Sequence, residues 1–211
     1  AVKSGDLAEA SKQIQALPKQ GLGLYFVPMM QAWLDVDAGK KPDEAALANV
    51  LQQAGEFKPL IQFQLALIEN ASGDKEAART LFNELSEAEI LPYRVQEAAM
   101  AFYQAEKNDA MIEKIAPKLD YAYDGDEQGA LPANAKEGVA EIFYTVASIM
   151  HLISAEEDAL IALQAAQALK PGFAAANYLK ASILENNERV EESVTAYQRV
   201  AKDSPLWLKS Q

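Results

Sequence analysis

The stretch GVAEIFYTVASIMHLISAEEDALIALQAAQALKP, Gly138 to Pro171, decides how the chain is read. In its first half Phe143, Val146, Ala147 and Met150 recur at three- and four-residue steps, so they share one face of a helix. A turn follows at Ser154. The second half places the small Ala159 four residues before the apolar Leu163 and ends at Pro171, which cannot continue a helix. The stretch is therefore a first helix (A), a short turn and a second helix (B). Ala147 supplies a small residue where the paired helix must come close. Two antiparallel helices cannot bury both apolar sides alone, so the pair is expected to stack on others like it.

The same phrase returns on both sides. A glycine or polar turn, a small residue and an apolar residue four further on occur in SGDLAEASKQIQALP (Ala10, Ile14), GKKPDEAALANVL (Ala46, Val50), GDKEAARTLFNEL (Ala78, Phe82) and NERVEESVTAYQRVAKDSP (Ser193, Tyr197). The small residues at 10, 46, 78, 159 and 193 lie 36, 32, 81 and 34 residues apart. That fits a helix-turn-helix repeat of about 34 residues, with the wide gap holding two repeats and an insertion. Apolar segments of helical length precede the later phrases: PMMQAWLDVDA, PLIQFQLALIENAS and GFAAANYLKASILEN.

The units predicted are 1–20 (helix B only), 21–56, 57–90, 91–120 (degenerate, with Pro117 interrupting a short helix B), an acidic loop at 121–135, then 136–171, 172–205 and the start of a further repeat at 206–211. Pro28 is expected in the first turn of a helix starting near Val27. Both ends cut through repeats, so the reading expects a segment of a longer array; half-repeats acting as caps are the alternative. Trp33 is expected in packing between helices, and Trp207 against a continuation of the array.

Composition narrows the chemistry. The net charge of −12 and the lack of clustered Lys and Arg argue against nucleic acid. Between Asp120 and Ala159 nine carboxylates face only Lys136, which predicts an acidic rim. There is no cysteine, hence no disulfide, thiolate metal site or cysteine nucleophile. The most apolar stretch, Ile142 to Ile153, is about half the length that spans a bilayer. The single histidine, His151, has no second histidine to share a metal or activate a serine. Gln20–Phe26 (QGLGLYF) has two glycines but no strand before them. Asp124–Gly129 (DGDEQG) starts like a calcium loop, but its twelfth position is Ala135, where a carboxylate is required. No catalytic residue, metal or cofactor is predicted.

On these residues the chain resembles the tetratricopeptide repeat (TPR) family over nearly its whole length. Ala78, Ala159 and Ser193, then Phe82, Leu163 and Tyr197, then Pro171 and Pro205, match its signature. Asn177 and Lys180 depart from it, standing where helix A usually has large apolar residues. GVAEIFYTVASIM, ALKPGFAAANYLKASILENNERVEESVTAYQRV and DSPLW also resemble a looser group of longer bacterial TPR proteins, often exported, which implies a periplasmic or envelope location over a cytoplasmic one.

The resemblance implies an all-α fold, a right-handed superhelix of about five stacked antiparallel helix pairs, truncated at both ends. It further implies that the A helices line a concave surface. The residues expected there are Phe63, Leu67, Asn70, Glu141, Tyr144, Ser148, His151, Tyr178, Ser182 and Glu185, a mixture suited to gripping a peptide or partner helix. The lysine and arginine clamp by which some TPR modules hold a C-terminal carboxylate is not apparent. The function expected is a non-catalytic scaffold for a protein or peptide. The alternative is a structural segment that packs against the rest of its own chain or oligomerises.

Overall fold

A computed structural model describes residues 1–88, 92–119, 131–202 and 204–211. These form α-helices and short 3-10 turns, with no strand among the described residues. The helices are α1 (Leu7–Gln15), α2 (Gly23–Asp37), α3 (Glu44–Gln53), α4 (Lys58–Ser72), α5 (Lys75–Ser86), α6 (Tyr93–Ala105), α7 (Asp109–Ile115), α8 (Ala135–Leu152), α9 (Glu156–Leu169), α10 (Ala174–Asn186) and α11 (Val190–Tyr197). The acidic loop predicted at 121–135, including the calcium-loop comparison at Asp124–Gly129, falls largely outside the described residues. Its last residue, Ala135, opens α8.

The turns carry a repeat sharper than the one legible in side chains. Eight described residues have positive φ; apart from Gly21 and Gly55 they are Gly5, Gly39, Gly73, Lys107, Ser154 and Glu188, which fall at intervals of 34, 34, 34, 47 and 34 residues. At five of these turns the next residue donates its N–H to the carbonyl five residues back. The bonds are Asp6 to Ala1, Lys40 to Asp35, Asn108 to Tyr103, Ala155 to Met150 and Arg189 to Leu184, at 2.8–3.3 Å. This is the left-handed helix stop in which a 6→1 bond satisfies a last-turn carbonyl. A new helix then starts at once. Asp6, Asp74 and Asn108 follow their turn residue directly and accept the N–H three residues on, from Glu9, Ala77 and Met111.

Each turn joins helices that pack on one another: α2 on α3, α4 on α5, α6 on α7, α8 on α9 and α10 on α11. The small residues that follow the caps are buried: Ala10, Ala78, Ala159 and Ser193. Ser193 donates its hydroxyl to the carbonyl of Ala181 on the partner helix, at 2.9 Å.

Two local expectations need correction. The second unit enters its helix three residues late, with Asp43 as cap, so Leu47 and not Ala46 takes the buried position four after the cap. Pro28 is not in a first turn: α2 begins at Gly23, and Pro28 lies inside it. The carbonyl that an interior proline leaves without a partner is that of Leu24. Leu24 is itself exposed, so water can serve that carbonyl. Trp207 is half-buried against the core.

Asn177, out of place for the family, is fully satisfied inside. Its amide accepts from Gln167 at 2.7 Å and donates to the carbonyls of Arg199 and Pro171.

The contacts of α8 give the fold its centre. Besides α9, α8 packs on α2 and α4, and the Val2–Ser4 turn touches both α8 and α9. The first residues thus meet a hairpin more than a hundred positions away in sequence. Trp33 on α2 is wholly buried against α8 at Gly138. A Cβ at Gly138 would lie 1.9 Å from the indole ring, so only glycine fits there. Ile61 to Ile68 on α4 and Arg94 to Met100 on α6 are buried without a break. A helix buried on every side is internal.

Candidate partner-binding surface

Ten residues on the A helices are the sequence-based candidates, and α8's position splits them. Phe63, Leu67 and Glu141 are exposed by 1%, 0% and 0%. These three are corrected from surface to interior: α4 and α8 face each other, and no partner touches them in this arrangement. Asn70, Tyr144, Ser148, His151, Tyr178 and Ser182 are half-buried, and Glu185 is exposed.

Glu141 belongs to a buried charge cluster that sequence reasoning did not find. Arg94 on α6, 3% exposed, donates Nη2 to Glu141 at 2.7 Å, Nε to both oxygens of the same carboxylate, and Nη1 to Glu97 at 2.8 Å. Burial works against the guanidinium charge, but Glu141 and then Glu97 outweigh it and hold its pKa above the ordinary arginine value. Lys170 sits 3.8 Å from Glu141 and 4.8 Å above the ring of Phe173. Arg94, Glu97, Lys170 and Phe173 line a cleft of about 200 Å³ at the start of α10, with Glu141 buried behind them. The sequence signal was faint: one arginine and one glutamate, Arg94 and Glu97, three apart in an otherwise uncharged run of helix. With two cations against two carboxylates, the cluster is balanced and reads as architecture.

Tyr144 leans on this cluster. Its ring lies 5.3 Å from that of Phe173, and burial followed by the Glu141 charge pushes its hydroxyl up to about 12, against the helping field of Arg94. Ser148, one turn on, returns its hydroxyl to the carbonyl of Tyr144. His151 ends the same stripe. Its Nδ1 lies 2.9–3.0 Å from both carboxylate oxygens of Glu156, which staples the α8–α9 turn. Asn70 is tied in a similar way, accepting from Lys75 across the α4–α5 turn at 2.7 Å.

Tyr178, Ser182 and Glu185 stand apart from these. Their spacings of four and three put them along one side of α10. The ring of Tyr178 meets Tyr197 edge-on at 5.5 Å, and Tyr197 donates its hydroxyl to Glu185 at 2.9 Å. Burial and then Glu185 hold the Tyr197 hydroxyl in its protonated form. Beside this strip, Val190 and Val194 on α11 are 62% and 50% exposed. With Tyr197 and the terminal Lys209 and Gln211 they border an open cleft of about 450 Å³.

Among the described residues no group of three or more His, Cys, Asp or Glu is placed to hold a metal ion. No described helix is long and apolar enough to cross a membrane. No protein-family model, curated protein or solved structure matches this chain significantly.

Proposed function

We propose that the chain is a TPR-like array of stacked helix pairs and works as a non-catalytic scaffold that binds a protein or peptide. What supports the array is the left-handed turn recurring at 34-residue intervals, a period proper to helix-turn-helix repeats. What supports binding is one observation: the strip Tyr178, Ser182 and Glu185 on α10 offers an aromatic, a hydroxyl and a carboxylate on an accessible side of one rigid helix. Aromatic anchors with adaptable polar neighbours are what interfaces favour.

The second reading, packing against further helices of the same assembly, draws on a different feature. Val190 and Val194 leave apolar surface exposed beside the cleft at α11.

A photo-reactive residue placed at Ser182 in the full chain, expressed in its own cells, tests both readings. The scaffold reading expects a crosslink to one discrete foreign protein, lost when Tyr178→Ala is added and absent from a control at the exposed Ala48 of α3. Crosslinks only between copies of this chain support the assembly reading. Equal, diffuse labelling from Ser182 and Ala48 sinks the first.

A further inference from the structure

Large aliphatic side chains stand in the open where the α8–α9 and α10–α11 hairpins turn. Leu152 and Ile153 close α8 just before the turn at Ser154 and are exposed by 70% and 57%. Ile161 lies four residues beyond Glu157, hence on the same side of α9, and Val190 opens α11. These two are exposed by 63% and 62%. The two turns meet: Nη1 of Arg189, the residue before Val190, lies 3.7 Å from Glu157.

Carboxylates surround these side chains. Residues 151–158 and 188–194 carry six of them, against His151 and Arg189. Both cations are already engaged. His151 meets Glu156, and Arg189 binds Glu192 through Nε and Nη2 at 2.7 and 2.8 Å. Asp158, Glu188 and Glu191 are exposed, and no described side chain pairs with them. Acids in a first turn suit the positive end of a helix, which accounts for Asp158 and Glu191. It accounts neither for Glu188, which lies outside α11, nor for four exposed aliphatic side chains among the charges. Apolar surface rimmed by polar groups marks an interaction face.

We propose that this edge docks a partner segment presenting aliphatic residues flanked by lysine or arginine. Charge selects that occupant. A second copy would bring its own −12 and the same carboxylates, and a nucleic acid or an anionic membrane would be repelled in the same way. Apolar contact supplies the hold, and the opposed charges steer the approach and choose the partner. The edge is distinct from the α10 strip and stands or falls without it.

The probe is a fluorescent helical peptide with leucine along one face and lysine along the other, added to the full chain. A control peptide has glutamate in place of lysine. The lysine peptide should bind, more weakly as salt is added, and the glutamate peptide should not. Two double variants divide the contact. Leu152→Ser with Ile153→Ser, and Asp158→Lys with Glu188→Lys, should each weaken binding about tenfold, through lost apolar burial in the first and lost attraction in the second. All four side chains are exposed, so the melting temperature should hold, and a fold lost in one double variant leaves the other to decide. Glu44→Lys with Glu113→Lys, the same charge change on α3 and α7, should leave binding unaltered, as should Tyr178→Ala. The proposal is overturned if the lysine peptide fails to bind or if the two peptides bind alike. It is overturned too if the α3 and α7 pair weakens binding as much as the edge pair, which is attraction to net charge alone, or if the serine pair binds as wild type does. Dimers of the free chain that the serine pair abolishes would overturn it in favour of a second copy.

Discussion

At the scale of single residues, the repeat lives in backbone dihedrals more than in side chains. In the 34-residue series of left-handed turns, three use glycine, at 5, 39 and 73, and three use Lys107, Ser154 and Glu188; Gly21 and Gly55 are left-handed outside that series. A residue with a Cβ pays about 1 kcal/mol or more to sit in that region, and glycine does not. Glu188 is exposed, with φ of 59°, so replacing it removes strain and almost no packing. Glu188→Gly should therefore raise stability by about 0.5–1 kcal/mol, seen as a higher urea midpoint with unchanged slope. Gly73→Ala should lower it by about 1 kcal/mol, and through the backbone alone, because a Cβ there meets nothing within 4 Å. A fall in midpoint for Glu188→Gly would mean that the turn carries no strain. This also explains what the sequence hid. Glycine advertises a left-handed turn, whereas Lys, Ser and Glu do not, so the interval had to be read from small residues and drifted by two or three positions at Ala46.

At the scale of elements, helices and their pairing were legible because amphipathic period and caps are local. The side each helix shows to solvent was not. Phe63, Leu67 and Glu141 were placed on a surface because each points away from its own partner helix. For Phe63 and Leu67 the cover comes from the helices packed on α4, α8 among them; for Glu141, on α8 itself, it comes with Arg94 of α6. One signal was present: Ile61 to Ile68 reads IQFQLALI, free of charge and mostly apolar around the helix, which marks an interior helix. The α6–α8 contact offers the sharper test. Arg94→Met leaves Glu97 without its cation and Glu141 with only the more distant Lys170, and removing one partner of such a buried pair costs about 3–5 kcal/mol. Replacing the three buried members together, as Arg94→Met with Glu141→Leu and Glu97→Leu, should recover most of that loss, because the one charge left, on Lys170, still reaches water. A cycle of urea denaturations measures it. A triple variant no more stable than Arg94→Met would show that the cluster stabilises in itself.

At the scale of the molecule, charge and burial combine to set an alkaline limit. The chain carries a formal −12 at pH 7, and its tyrosines are the groups whose ionisation would add further negative charge. Tyr103 is fully buried among Phe82 and Phe102, its hydroxyl donating to Asn83, and burial pushes its pKa up to about 12. Tyr144 is pushed to about 12 for the same first reason. The folded state thus holds these protons at a pH where the unfolded chain, with ordinary tyrosines near 10, has released them. With fewer protons bound in the unfolded state, stability must fall as pH rises. The contribution is whole below pH 10 and is lost between 10 and 12, roughly 2–3 kcal/mol for the buried Tyr103. Urea melts across that range should show a falling midpoint, and tyrosinate absorbance should lag behind the ordinary titration until the helical signal is lost. Tyr103→Phe cannot ionise, so it should flatten the decline. If all eight tyrosines titrate together near 10 while the helices persist, then neither ring is held as the packing around Phe82, Phe102 and Phe173 requires.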